Sequence, residues 1–417
     1  MAEWIDDARY LSLFAPGQRV YVGGSANEPK HLVGTLARNG ERAAGITFIQ
    51  QPLAVNDQDF SSLHETASQE TFFATPALKD GLRAGRVRFI PMQMRAIYDH
   101  LASDQIDVAL LAAARDVDGV LRYGPNVDYA GAALAAAKTV VVEVSDAFVA
   151  PLGGLPVDES AVQYLVPCSS PVTTYPVAGI DDTSRQIGNN IASLIRDGDC
   201  LQTGIGAVPA AVLDSLTDKN DLGFHGGLID DAVMALIRSG NLTGRNKEID
   251  AGEHLTGMAL GTSDLHDWLA QTASVRFTGA NYTHEISVIS QLSQFVSINS
   301  AVEVDLFGQV NAEVAGGRQI SGTGGAVDFM RSARVSKGGR SIVALSSTAR
   351  GGTVSRIVPK VEMVTALRTD VDLVVTEHGV ADLKRTPLRD RASQLIGIAH
   401  PDFRDELQQA ARAAGLA

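Results

Sequence analysis

The stretch Cys200–Asp231, CLQTGIGAVPAAVLDSLTDKNDLGFHGGLIDD, decides the fold. Its first four residues, Cys200-Leu201-Gln202-Thr203, form a short apolar run that reads as a buried strand. The run breaks at Gly204-Ile205-Gly206, and a helix is expected from Pro209 through Ala210, Ala211, Val212 and Leu213. Proline suits the first helical turn, where a backbone N–H has no partner to lose. The two glycines let the chain turn tightly and approach a bound group closely. Unpaired N–H groups at a helix start can hold an oxyanion or a phosphate. An ordinary tight turn in an α/β domain gives the same pattern, so the turn needs company before it means a site.

Working toward the N-terminus, strand and helix alternate. Arg19–Val22 reads as a strand followed by Gly23-Gly24-Ser25, then a helix seeded at Pro29 with Leu32, Val33 and Leu36 on one face. Val87–Ile90 reads as a further strand, and Met94–Leu101 as a helix. Asp107–Leu111 and Thr139–Val142 are nearly continuous apolar runs, the mark of strands buried on both faces of a parallel sheet. Residues 151–182 hold five prolines and little periodicity, and their later part is expected to be a linker. Domains are therefore expected at 1–180 and 181–417. The two halves also resemble each other. Gly24 and Gly204, Pro29 and Pro209, Leu32 and Val212, and Val33 and Leu213 are each 180 positions apart. Asp118-Gly119-Val120 echoes Phe307-Gly308-Gln309-Val310. The reading is α/β, with two similar open α/β domains in tandem related by internal duplication.

Composition narrows the function. A chain of 417 residues with 45% hydrophobic and 20% charged residues can bury two cores. No apolar run approaches the ~20 residues that cross a bilayer. The start, MAEWIDDARYLSLF, lacks a basic-then-apolar layout, so no targeting segment is expected. A net charge of −13 argues against nucleic acid or an anionic membrane as the main partner. Cys168 and Cys200 form neither a disulfide framework nor a metal motif, which points to a reducing cytoplasm and no metal site.

Toward the C-terminus, Ala232–Ile237 reads as a helix, Gln294–Asn299 as a strand and Val302–Val314 as a hairpin. Ser321-Gly322-Thr323-Gly324-Gly325 is a second glycine loop, ahead of a helix through Asp328 and Met330. From Phe329 to Val361 every formal charge is positive: Arg331, Arg334, Lys337, Arg340, Arg350, Arg356 and Lys360. In an acidic protein this inversion beside a glycine loop favours a phosphate-bearing ligand over a merely solvated face.

The segments LQTGIGAVPAAVL, VSINSAVEVDLFGQVNAE, SGTGGAVDFMRSARVSKGGRSIVALSSTA and VVTEHGVADL, in that order, resemble the acetyl-CoA hydrolase/transferase family. The branch of 4-hydroxybutyrate CoA-transferases is the most similar, and VYVGGSANEPKHLV extends the likeness to the N-terminal half. The resemblance implies tandem α/β domains of CoA-transferase type, with acyl-CoA as substrate and no permanently bound cofactor. A small carboxylic acid is a possible second substrate, and a homodimer or higher homo-oligomer is expected. It places coenzyme A between Gly204, Ile205, Gly206, Ala207 and Val208 on one side and Gly322, Gly324 and Gly325 on the other. Asn299 and Lys337 join that site, with Lys337 near the phosphates.

The family's chemistry rests on a glutamate just after the GIG loop. It attacks the thioester, and the glycine turn holds the oxygen that becomes negative. The family segment reads Leu-Gly-Val-His-(Ser/Thr)-Glu-Met; here it is Leu222-Gly223-Phe224-His225-Gly226-Gly227-Leu228. Gly227 stands where the nucleophile should be. Asp230 is a substitute carboxylate or a residue at a helix start, Asp231 a helix cap, and His225 a general base or a packed histidine. Glu253, Glu313 and Glu377 are further acids on matching segments, Glu377 being read as structural. The expected activity is therefore cleavage or conversion of an acyl-CoA thioester without a glutamyl-CoA intermediate. A transferase using another carboxylate and a non-catalytic CoA-ester-binding subunit are the alternatives. Gly227→Glu alone is expected to gain some CoA transfer.

Overall fold

The computed structural model describes residues 2–177 and 179–416; Ala178, inside the expected linker, lies outside them. The chain forms two compact units. One comprises the residues through Pro176 together with Leu255–Thr283, the other Val177–His254 together with the chain from His284 onward.

The first unit is built on an open parallel sheet in the order Glu3–Trp4, Tyr164–Cys168, Ala137–Ser145, Ile106–Arg115, Arg19–Val22, Thr47–Ile49, Ser68–Thr71, Val87–Phe89. The apolar runs explain its centre. Val108 to Ala114 are all buried, and Leu110 pairs with Val22 on one side and Val141 on the other. The helix Lys30–Arg38 lays Leu32, Val33 and Leu36 onto this sheet, the face that its spacing predicts. Each such side chain contributes about 1.5–3 kcal/mol by leaving water.

The second unit repeats the plan with the order Gly223–Phe224, Cys200–Thr203, Phe295–Ser300, Arg340–Ala344, Leu373–Thr376, Gly379–Asp382. Only the last of these strands runs antiparallel to its neighbour. In both units the first long strand has the next strand of the chain on one side and a much later one on the other. The duplication reaches single hydrogen bonds. Asp116 Oδ1 accepts the N–H groups of Asp118 (3.0 Å) and Val120 (2.8 Å), around Gly119 at φ 81°. Asp305 Oδ1 accepts those of Phe307 (3.0 Å) and Gln309 (2.9 Å), around Gly308 at φ 88°. The second of these loops closes the expected hairpin, with Val304 opposite Val310.

Two differences from the sequence reading have clear causes. The helix after the GIG turn runs Ala207–Asp214, so Pro209 is its third residue and not its first. Position three still lies among the N–H groups without an intrahelical partner, so proline is tolerated there. The segment 255–283 packs with the first unit, although the expected boundary put it in the second domain. Its backbone explains this: Val127 N–H donates to Gly257 O, Ala259 to Pro125, Leu152 to Leu269, Phe277 to Gly153 and Ala280 to Asp128, all at 2.7–3.0 Å.

Candidate active site

Ligands of open α/β sheets bind at the carboxyl ends of the strands, where the strand order reverses. In the second unit that point lies between Cys200–Thr203 and Phe295–Ser300. The GIG turn leaves the first of these strands there. Gly206 caps the following helix with φ 115°, and a Cβ placed on Gly204 or Gly206 would meet nothing within 4 Å. The turn therefore borders open space, and Ile205 is 39% exposed. Ala207 and Val208 open that helix, so their N–H groups have no intrahelical acceptor. On the adjoining strand Asn299 is buried and pairs with Gln202 through its amide, Nδ2 to Oε1 at 3.0 Å and Oδ1 to Nε2 at 3.3 Å.

Behind the turn lies a box of rings. His225 is fully buried; its N–H donates to Leu201 O at 3.0 Å, and its ring lies 6.4 Å edge-on from Phe295. Phe295 lies 6.4 Å from Phe329, and Phe329 lies 4.4 Å from His284. Burial, together with the neighbouring His225, pushes the His284 imidazole down to about 3, so the ring is neutral near pH 7. His284 fills the space beside two glycines. A Cβ on Gly227 would stand 2.9 Å from both Cε1 and Nε2 of His284, and a Cβ on Gly325 would overlap Nε2. The His225-Gly226-Gly227 turn and the glycine loop thus meet on one imidazole. Sequence reasoning passed over His284, because its approach to two glycines far along the chain leaves no local pattern. In the structure both glycines lie outside the left-handed region, so close approach and not turn geometry is what asks for glycine there.

The glycine loop itself is braced from below. Glu313 is buried, its Oε1 accepting from Thr323 Oγ1 at 3.1 Å and its Oε2 from Gln319 Nε2 at 3.2 Å. Gly324 takes φ 54°, and Gly325 caps the helix Ala326–Val335. Glu377 holds Ser347, accepting from its N–H (2.9 Å) and its Oγ (2.5 Å), at the carboxyl ends of the neighbouring strands. Arg356 lies at the same edge, donating to Ala301 O, to Val302 O at 2.7 Å and to Ser346 Oγ at 2.8 Å. Burial lowers its guanidinium pKa, and Glu377 and Glu303 oppose that shift.

Other expected residues fall elsewhere. Asp230, not Asp231, caps the helix Asp231–Arg238, its Oδ1 accepting from Ala232 and Val233 N–H at 3.1 Å each. Burial raises its pKa, with the Asp231 charge adding and the two N–H bonds opposing. Glu253 accepts Lys247 Nζ through its backbone carbonyl at 2.8 Å. Lys337 follows the far end of the helix that Gly325 begins, and its carbonyl accepts Gln294 N–H at 2.7 Å. That is the amino edge of the sheet, opposite the glycine turn. Several cations of the basic run are also engaged. Arg331 and Arg334 face Asp370 at 3.2 and 3.9 Å, and Arg340 pairs with the buried Asp199. Each of these three cations therefore has an acid as its neighbour. Among the described residues no group of three or more His, Cys, Asp or Glu could hold a metal ion, and no helix is long and apolar enough to cross a membrane. The first unit has its own cavity of about 720 Å³ beyond the carboxyl ends of its strands, lined in part by Lys30, Phe148, Thr173, His266 and Asp267.

With this geometry in place, comparison with known proteins gives one answer across the chain. Residues 4–153 match the acetyl-CoA hydrolase/transferase N-terminal domain, and residues 261–411 match the C-terminal domain of the same family. A 4-hydroxybutyrate coenzyme A transferase of Clostridium kluyveri is 36% identical over 397 residues, 93% of this chain and 92% of the relative. RipA from Yersinia pestis superposes with a TM-score of 0.93 at 31% identity, covering 100% of this chain and 98% of that one. A 4-hydroxybutyrate CoA-transferase from Porphyromonas gingivalis gives 0.82 at 32% identity, covering 99% and 97%. The chain belongs to the acetyl-CoA hydrolase/transferase family and is an enzyme that handles acyl-CoA thioesters.

Proposed function

We propose that this enzyme cleaves or converts an acyl-CoA thioester without passing through a glutamyl-CoA intermediate. One observation carries the reading. Position 227 bears no carboxylate, and the space its side chain would take is filled by the neutral His284 ring. The thioester carbonyl lies against the N–H groups of Ala207 and Val208, beside Gly204–Gly206. Developing negative charge on its oxygen is stabilised there by donors already in place. Hydrolysis, decarboxylation and C–C cleavage all draw on that polarised carbonyl, and water or a substrate group supplies the rest. The coenzyme spans toward Gly322–Gly325 and Asn299. Asp230 is the carboxylate nearest in sequence to the vacant position, yet one of its oxygens already caps a helix. The two unpaired cysteines suit a reducing cytoplasm, and a homodimer or higher homo-oligomer is the assembly proposed from the family resemblance.

The test is a panel of acyl-CoAs, with and without acetate, followed by free-thiol release and by exchange of the acyl group. Thiol release without a protein-bound CoA is the expected result. Exchange without release, with a CoA adduct mapped to Asp230, would make the enzyme a transferase with a relocated nucleophile. Neither release nor exchange would point to a CoA-ester-binding subunit.

A further inference from the structure

The His284 ring touches both the turn at 225–228, where the family's nucleophile would stand, and the glycine loop at 321–325. Any side chain at 227 begins with a Cβ 2.9 Å from His284 Cε1 and Nε2, closer than real Cβ contacts come. The ring cannot step aside cheaply. It is 2% exposed, packs on Phe329 at 4.4 Å, and lies against Gly325 as well, where a Cβ would overlap its Nε2. Removing the missing nucleophile from consideration therefore leaves a second obstacle to the covalent route. We infer that His284 is a specificity-determining residue, closing the side-chain space at 227 so that a carboxylate placed there cannot reach the thioester until the imidazole is replaced by a smaller side chain. This rests on the proposed non-covalent reading of the native enzyme, and it corrects the expectation that Gly227→Glu alone gains transfer.

The covalent step to be opened is explicit. A carboxylate oxygen at 227 adds to the acyl carbonyl, the C–S bond breaks, and CoA leaves as its thiolate, giving an acyl anhydride. The thiolate then adds to the side-chain carbonyl, which releases the acyl group as a carboxylate and leaves CoA on the protein as a thioester. A nucleophile displaced by an ångström can lose about a hundredfold in rate, so the imidazole need only hold the carboxylate off line.

The experiment compares the full-length native enzyme, Gly227→Glu, Gly227→Glu/His284→Ala and Gly227→Glu/His284→Asn, each incubated with acetyl-CoA and with the acyl-CoA that the native enzyme turns over fastest. Intact-mass and peptide mapping read the CoA adduct at position 227, and thermal unfolding reads the fold. The expected result is an adduct at least tenfold more abundant in either double variant than in Gly227→Glu. Equal adduct in the single and double variants would overturn the inference. So would no adduct in folded double variants. If both double variants fail to fold while Gly227→Glu folds, His284 is a support of the core and the inference falls. The proposed function is judged separately, by thiol release from the native enzyme, so the two can fail independently.

Discussion

Gly206 holds φ 115°, a conformation that side-chain-bearing residues rarely adopt, yet nothing lies within 4 Å of where its Cβ would be. Strain, not collision, is therefore what a substitution meets. Gly206→Val is expected to cost roughly 1–3 kcal/mol through backbone strain. It should also lower thiol-release turnover about a hundredfold or more by misaiming the N–H donors of the turn. Thermal unfolding and turnover measured on one preparation separate the two effects. Activity that survives the change would reduce the turn to a chain reversal. Gly227 and Gly325 are glycines for the opposite reason, since their Cβ positions are taken by a ring. Cys200 is buried, with its thiol pushed up to about 12 by that burial, so it stays out of the chemistry beside it.

At the scale of elements, Asp230 does the work of a cap. Its loss unties two N–H groups at the start of Asp231–Arg238. Asp230→Ala is expected to lower stability by about 1 kcal/mol, while thiol-release turnover stays within a few-fold of native. A collapse of turnover with the melting temperature unchanged would return Asp230 to the reaction. The elements show what periodicity and turn chemistry reveal and where they stop. The strand Cys200–Thr203, the turn after it and the apolar face of Lys30–Arg38 were legible because each is written in neighbouring residues. The engagement of Arg331, Arg334 and Arg340 was not, because Asp370 and Asp199 lie far along the chain and leave no local pattern. The meeting of His284 with two distant glycines and the return of 255–283 to the first unit are hidden for the same reason. Charge order alone suggested a phosphate cradle, and the fold gives three of those seven cations an acid as partner.

At the scale of the molecule, burial shifts two carboxyl groups of the first unit furthest, Glu143 and Asp128. Glu143 is 2% exposed and its Oε2 accepts Leu32 N–H at 3.0 Å; burial raises it from 4.5 to about 7. Burial likewise raises Asp128 from 3.8 to about 7. A carboxyl whose folded pKa exceeds its unfolded one binds its proton more tightly when folded. Stability from Glu143 is then fully present below about 4.5 and is lost as pH rises to about 7. That amounts to roughly 3 kcal/mol at 1.36 kcal/mol per unit. Glu143→Gln keeps an acceptor for Leu32 and cannot ionise. Urea unfolding at pH 5 and pH 8 should show the variant gaining stability relative to native at the higher pH. An equal difference at both would mean that Glu143 ionises as easily in the folded protein as in the unfolded one.

The return of 255–283 to the first unit also sets a schedule for the ribosome. Translation at ~5–20 residues per second leaves the first unit waiting several seconds for its last piece. During that interval the second unit's opening strand is already made, and Val127, Leu152 and the carbonyls of Asp128 and Gly153 have no backbone partners from 255–283. A fragment ending at residue 180 should therefore exchange the amides of Val127 and Leu152 freely, while the full chain protects them. The two units, though duplicates in plan, cannot be made strictly one after the other: the nascent chain must begin the second before it can finish the first.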